Sequence, residues 1–556
     1  MYDIILRHGS IVDGSGGDLY QGDVAIGGGK ILAIGKVEGP AHRYIDVDGL
    51  VVAPGAIDIH THYDAQVCWD GALLNSVEHG TTTVIQGNCG IGVSPCRPSD
   101  REDVLNDLVV LEGIAYEVMV AGIDWKFETF PEYLSMLRSR GLGLNVAALV
   151  PLGPLRRYVM GDSASERAAS EQECMSIANL LGHAVQSGAY GFSSTMVRRQ
   201  VGYKGRALPC QLASREELAA YSRMLRKCGR GIIQVNVVDS PGYLTDEAYS
   251  TIVLLLDEGG RPVTFSGALD RQDNPEAIEA MLRKAAPLRE RGAMPQTMVR
   301  PMVAEADLRS PLFFADVPSF KRILNRPLNE QKAIYRDSEW RKKASAELNA
   351  GGNVFGDSWK KSLLFRCTDE SLRPLLMKSV TEIAIERRTT ALDAMLDIAL
   401  QDELRSKFLQ PLWNTDPGRL SNLISDPRVL IGLADSGAHL DTIFESNFPT
   451  YMLGHWVRNQ KAIKLEKAIQ RMTSEPAKFF QMTDRGMLAL GKFADIMVFD
   501  PVTVNAPQLP TEIRDDLPGG GVRLYSKSEG MEFVLVNGKT VIEHGLCTDA
   551  RPGALV

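Results

Sequence analysis

The chain has 556 residues, 44% hydrophobic and 23% charged, with 61 basic against 69 acidic side chains and a net charge of −8. That composition is typical of a globular protein and long enough for a large core and two or more domains. The interspersed charges, with an acidic excess and no basic block, exclude nucleic acid and anionic membrane surfaces and leave a small molecule as the expected partner. No apolar run reaches the ~18 residues of a membrane span, and MYDIILRHGS lacks the layout of a signal peptide. The cytoplasm is the expected location. The eight cysteines show no framework spacing and are expected as free thiols.

Residues 1–52 contain short alternating segments broken by glycine, such as GDVAIGGGKILAIG, and predict a small β unit. From residue 53 apolar strand-like runs alternate with amphipathic helices, as βαβ units require. Eight strands are expected, at AIDIHTH, TTTVIQGNC, LNVAALVPL, AYGFSST, GIIQVNVVD, RPVTFSGAL, MPQTMVRP and RVLIGLADSG. SEQECMSIANLLGHAVQSG and REELAAYSRMLRKCG between them carry helix start and stop signals. Eight strands with intervening helices predict a TIM-like (β/α)8 barrel over 53–483, a doubly wound sheet being the rival. Polar, partly helical stretches near 92–135 and 301–388 read as insertions and candidate lids. Residues 484–556 return to short strands, so both termini are expected to build one small β-sandwich beside the barrel.

The first strand carries the strongest chemical signal. In VVAPGAIDIHTHYD an apolar run ends on His60 and His62. Residues i and i+2 of an extended strand face the same way, so both imidazoles can converge on one ion. The glycines at 27–29 lack a following helix and read as a turn, and no G-x-S-x-G elbow exists to support a serine hydrolase.

GAIDIHTHYD, EHGTTTVIQGNCG, GAYGFSST, GLADSGAH and MTSEPAKFFQMTDRGMLALGKFADIMVFDP resemble the amidohydrolase superfamily and, within it, the N-acyl-D-amino-acid deacylases (D-aminoacylases). The resemblance runs in order over nearly the whole chain. It implies a barrel in which metal-activated water attacks an amide carbonyl. His60 and His62 match the strand-one ligands, and Cys89 in GNCG matches a thiolate ligand, which favours zinc. Asp435 in LADSG matches the aspartate at the end of strand eight, a metal ligand and general base in one.

The chain also departs from that pattern. Such enzymes normally add histidines at the ends of strands five and six, yet no histidine lies between His183 and His439. Asn236 and Gly267 stand at those ends, and AYGFSST offers no lysine for a carbamylated bridge. His60, His62, Cys89 and Asp435 suffice for one tetrahedral zinc ion with an open position, with Asn236 or Asp239 as an alternative donor. Asn236 could instead bond the substrate.

For an α-carboxylate, the loop after strand four supplies Arg199, a bidentate donor, and Tyr203. His439, four residues after Asp435, could orient substrate or share proton transfer. His79 and His183 are expected to pack. The leading expectation is therefore a zinc-dependent hydrolase of an N-acyl-(D-)amino acid or similar small amide. The alternatives are hydrolysis of a cyclic amide, imide or ester on a remodelled site, and an inactive barrel serving in binding or assembly. Homo-oligomerisation is expected as the common state of such enzymes.

Overall fold

The computed structural model describes residues 1–314, 316–324, 326–351, 356–440, 445–507 and 512–556. The expected strands are present, and their pairings define the frame. Strand one (Ala56–Asp58, resumed at His60–Thr61) pairs in parallel with strand two (Thr81–Gln86), and strand two with strand three (Asn145–Ala148, resumed at Val150–Pro151). Strands four (Gly191–Thr195), five (Ile232–Asn236), six (Val263–Phe265) and seven (Ala293–Thr297) follow in parallel. Strand eight (Leu430–Ile431, resumed at Leu433–Ser436) pairs with strand seven through its first half and with His60–Thr61 through its second. The pairings therefore close in chain order. Strands one, three and eight are each interrupted by one residue, and on either side of the break they serve different neighbours.

These strands are buried along almost their whole length, which is why they read as continuous apolar runs. Ile57, Ile59, Ile85, Ala147, Leu149, Ile232 and Leu430 form one apolar cluster, with Met294 packed against it. Two residues further along strands five and seven the same faces carry Gln234 and Gln296. The apolar layer thus gives way to a polar one toward the strand ends.

The predicted helices form where their caps said they should. Ser170 and Glu173 make a reciprocal capping box at the start of Glu171–Gln186. Ser214 and Glu217 repeat it before Arg215–Cys228, which ends on left-handed Gly229.

The terminal segments are hydrogen-bonded into one nine-stranded sheet. Val51–Pro54, from the N-terminal part, pairs antiparallel with Ile496–Phe499 from the C-terminal part. Ile4, Leu6, Ile26, Val52, Ile496, Phe533 and Leu535 share its core. This sheet and the strand ring belong to one compact unit of residues 1–268, 281–299 and 421–556.

Residues 269–280 and 300–420 form a second compact unit, which extends well past residue 388. It holds a three-stranded antiparallel sheet of Met302–Ala306, Lys407–Trp413 and Leu363–Arg366. Phe314, Phe320, Tyr335, Trp359, Ile383, Leu396 and Phe408 are buried together in its own core. Residues 92–135 are part of the first unit and mostly helical, with helices Arg101–Glu112, Tyr116–Gly122 and Phe130–Arg140. No described helix is long and apolar enough to cross a membrane, and all eight cysteines are free.

Candidate metal centre

Strand one delivers His60 and His62, both buried, to the end of the ring where strand eight delivers Asp435. Cys89 arrives from the turn after strand two. Its backbone is left-handed at φ 55°, and its N–H donates to Gln234 Oε1 at 2.7 Å. Asp435 is also left-handed, at φ 53°. Two non-glycine residues in that region, both aimed at one point, are a local conformational cost that such sites carry.

The donor atoms converge. Cys89 Sγ lies 3.3 Å from His60 Nε2, and Asp435 Oδ1 lies 3.5 Å from His60 Nε2 and 3.3 Å from His62 Nε2. One ligand atom from each of His60, His62 and Cys89 falls within 4.8 Å of the others. A tetrahedral zinc site with ordinary Zn–N, Zn–O and Zn–S bonds has donor-to-donor edges of about 3.3–3.6 Å. The three separations involving Cys89 and Asp435 match those edges.

The far sides of both imidazoles are held as well. His60 Nδ1 is 2.7 Å from Gln296 Oε1 of strand seven, and His62 Nδ1 is 3.5 Å from Glu112 Oε1. With Nδ1 engaged outward, each ring turns Nε2 to the centre, the usual arrangement behind a metal-binding histidine.

Charge agrees with geometry. Burial opposes ionisation of the Cys89 thiol, yet the facing His60 and His62 outweigh it and lower its pKa. Burial likewise opposes the charge of Asp435, and the same imidazoles, with His439, hold its carboxyl far below the usual range. In return the imidazoles, though penalised by burial, are raised: His60 by Cys89 and Asp435, His62 by Glu112, Asp435 and Cys89. Two acidic donors facing two imidazoles, each shifting the other toward its charged form, are a set that a divalent cation can bind with release of protons. The donor set and its spacing fit a zinc ion.

Two further buried carboxyls flank the strand. Burial pushes Asp58 up to about 8 and Asp64 up to about 7. Asp58 accepts bonds from the His60 N–H (3.3 Å) and Ser436 Oγ (3.2 Å), tying strand one to strand eight. Asp64 accepts from the Gly87 N–H at 3.1 Å and so anchors the turn that carries Cys89.

The remaining expected residues fall in several places. The His439 N–H donates to the Glu112 carbonyl, with its backbone at φ 46°. A Cβ on Gly113 would meet His439 Nδ1 at 2.7 Å, so glycine there makes room for the ring. Asn236 ends strand five half-buried, its carbonyl accepting from the Met196 N–H at 2.8 Å. Arg199 is exposed on the segment after strand four. Tyr203 is half-buried, and its N–H donates to Asp107 Oδ1 at 2.7 Å, on the helix that ends in Glu112. Asp239 accepts from the Arg198 N–H at 3.1 Å and lines a polar cavity of about 330 Å3. His79 is buried as a packing residue, bonded at 2.6 Å to Thr450 Oγ1 and 2.7 Å to the Ser526 carbonyl.

Sequence reading missed Glu112, Gln234 and Gln296. The glutamines carried a faint signal, an amide inside a buried strand. Glu112 carried none.

A parallel α/β ring whose strand ends bring two imidazoles and a thiol together, with a carboxylate beside them, has the donors of a divalent-metal site. The chain belongs to the amidohydrolase family, whose model matches residues 43–316 and 384–542. It is 26% identical to the D-aminoacylase of Alcaligenes xylosoxydans xylosoxydans over 565 residues, covering 100% of this chain and 97% of that protein. A crystal structure of D-aminoacylase, described as defining a novel subset of amidohydrolases, superposes with a TM-score of 0.68 at 22% identity, covering 100% of this chain and 99% of that one. The N-acyl-D-glutamate deacylase of Bordetella bronchiseptica, complexed with zinc and a phosphonate mimic of the tetrahedral intermediate, superposes at 0.65 with 22% identity and the same coverage.

Proposed function

We propose that the protein is a zinc-dependent deacylase that hydrolyses the C–N amide bond of an N-acyl-D-amino acid or a closely related small amide, on a (β/α)8 barrel with a single ion. The observation that carries this reading is the grouping of one ligand atom each from His60, His62 and Cys89 within 4.8 Å, with Asp435 Oδ1 3.3 and 3.5 Å from the two imidazole Nε2 atoms. The likeness to a D-aminoacylase over the full chain and to a zinc-bound N-acyl-D-glutamate deacylase supports the bond and the metal. A single ion is supported by Asn236, which ends strand five, and by Gly267, two residues beyond the end of strand six, where histidines would otherwise be expected. A Cβ on Gly267 would meet the Val238 side chain at 2.8 Å, so Val238 fills the space a ligand from strand six would need.

When bound, the ion would supply Lewis acidity to the substrate carbonyl and to water. The chain supplies the rest. His60, His62, Cys89 and Asp435 would hold the ion. Asp435, kept ionised by the two imidazoles, accepts the proton of the attacking water and returns it to the leaving nitrogen. His439 would orient the substrate beside Asp435, and Arg199 and Tyr203 on the loop after strand four are the candidates for its carboxylate.

The test is to incubate zinc-loaded protein with paired N-acetyl-D- and N-acetyl-L-amino acids, hydantoins and other cyclic amides, and to measure amine and carboxylate release. Hydrolysis of the D-series is expected. Turnover confined to the cyclic amides would replace the substrate assignment, and no turnover with metal bound would point to a binding role.

A further inference from the structure

The neutral amide behind His60 stands apart from the carboxylate behind His62. We propose that Gln296 is a positioning residue that locks His60 in the tautomer presenting an unprotonated Nε2 to the ion, and that it thereby sets the affinity of the site for zinc. The inference rests on the reading of the cluster as a zinc site and adds a determinant outside the ligands.

Three observations support it. Gln296 is completely buried on strand seven, and its Oε1 lies 2.7 Å from His60 Nδ1, the shorter of the two contacts behind the imidazoles. An amide oxygen can only accept, so the proton of the bond belongs on Nδ1, and in the neutral imidazole this leaves the lone pair on Nε2, the nitrogen that faces Cys89 and Asp435. Gln296 Nε2, by contrast, is buried with no hydrogen-bond partner among the described residues. Carrying a buried amide with half its capacity unused is unfavourable for folding, so stability alone does not account for glutamine at this fully buried position. The acceptor does. Gln234 repeats the pattern: its Oε1 accepts from the Cys89 N–H at 2.7 Å while its Nε2 is likewise without a partner. Both amides spend their oxygen on a metal ligand.

The experiment uses the full chain with zinc as the probe. Zinc dissociation constants are measured by competition with a chromogenic chelator for wild type, Gln296→Met and Gln296→Glu, and the metal-free forms are compared by thermal melting. Methionine keeps the volume and loses the acceptor. Glutamate keeps the acceptor and, when ionised, has no donor, so it tests the polarity of the bond. The expected result is a 10–100-fold weaker zinc affinity for Gln296→Met, as for other partners behind metal-bound histidines, a near-wild-type affinity for Gln296→Glu, and a metal-free Gln296→Met at least as stable as wild type. Zinc affinity of Gln296→Met within threefold of wild type, or Gln296→Glu as weak as Gln296→Met, would overturn the proposal. Failure of wild type itself to bind zinc would instead overturn the reading on which it rests.

Discussion

Replacing Asp435 by asparagine separates proton transfer from shape. The carboxylate sits 3.3 Å from His62 Nε2 and 3.5 Å from His60 Nε2 through one oxygen, Oδ1. Asparagine fills the same space and can still turn an oxygen toward the cluster, but it cannot accept the proton of an attacking water. A positioned general base contributes roughly 10²–10⁴-fold, or about 2.7–5.4 kcal/mol of transition-state stabilisation at about 1.36 kcal/mol per decade. Folding should change less. The variant loses charge-assisted contacts worth about 1.5–3 kcal/mol, and this loss is partly offset because no anion has to be buried. The assay is kcat at saturating substrate with the zinc content of each sample measured in parallel, so that weaker metal binding is not read as lost chemistry. Asp435→Asn with zinc bound and kcat within tenfold of wild type would refute the role assigned to Asp435.

Further outcomes follow from groups around the ring. Arg156 is fully buried and bonded to Glu217 at 2.9 and 3.3 Å, so Arg156→Met should cost about 3–5 kcal/mol by leaving an unpaired buried carboxylate. Denaturant unfolding that shows less than 1 kcal/mol would contradict it, and pairing the change with Glu217→Gln should recover part of the loss. The pH dependence has a definite sign. Burial opposes the charge of Glu217, but Arg156 lowers its folded pKa below the ordinary value, so its contribution is complete above the unfolded value of about 4.3 and fades as pH falls through the lower folded value. Glu217→Gln should therefore flatten the acid limb of a stability–pH curve. Gly267 has φ 110° and a Cβ there would meet the Val238 side chain at 2.8 Å, so Gly267→Ala should destabilise by about 1–3 kcal/mol, with partial relief from Val238→Ala. A neutral Gly267→Ala would show that Val238 does not fill that position.

The frame of the molecule was legible because its signals are local. His60 and His62 lie two residues apart at the end of strand one, Ser170 and Ser214 announce their helices three residues ahead of Glu173 and Glu217, and the eight apolar runs mark the ring strands. Cys89 and Asp435 came from the motifs around them. Glu112, Gln234 and Gln296 were not legible because their partners are distant in sequence: 236 positions separate His60 from Gln296, and 145 separate Cys89 from Gln234. A polar residue in an apolar strand announces a buried hydrogen bond and says nothing of the partner. The second unit ran past residue 388 because its helices Val380–Arg387 and Ala391–Gln401 carry the same capping and amphipathic pattern as helices of the ring. Pattern alone does not assign a helix to a unit; its packing partners do.

The central claim is a mononuclear zinc centre built from His60, His62, Cys89 and Asp435. Elemental analysis of protein purified without chelator and dialysed to remove loose metal tests it most directly, with His60→Ala/His62→Ala prepared alongside. One zinc per wild-type chain, lost in the double variant while the variant remains folded, is the predicted result. Two tightly held ions per wild-type chain, or zinc retained by the double variant, would contradict it.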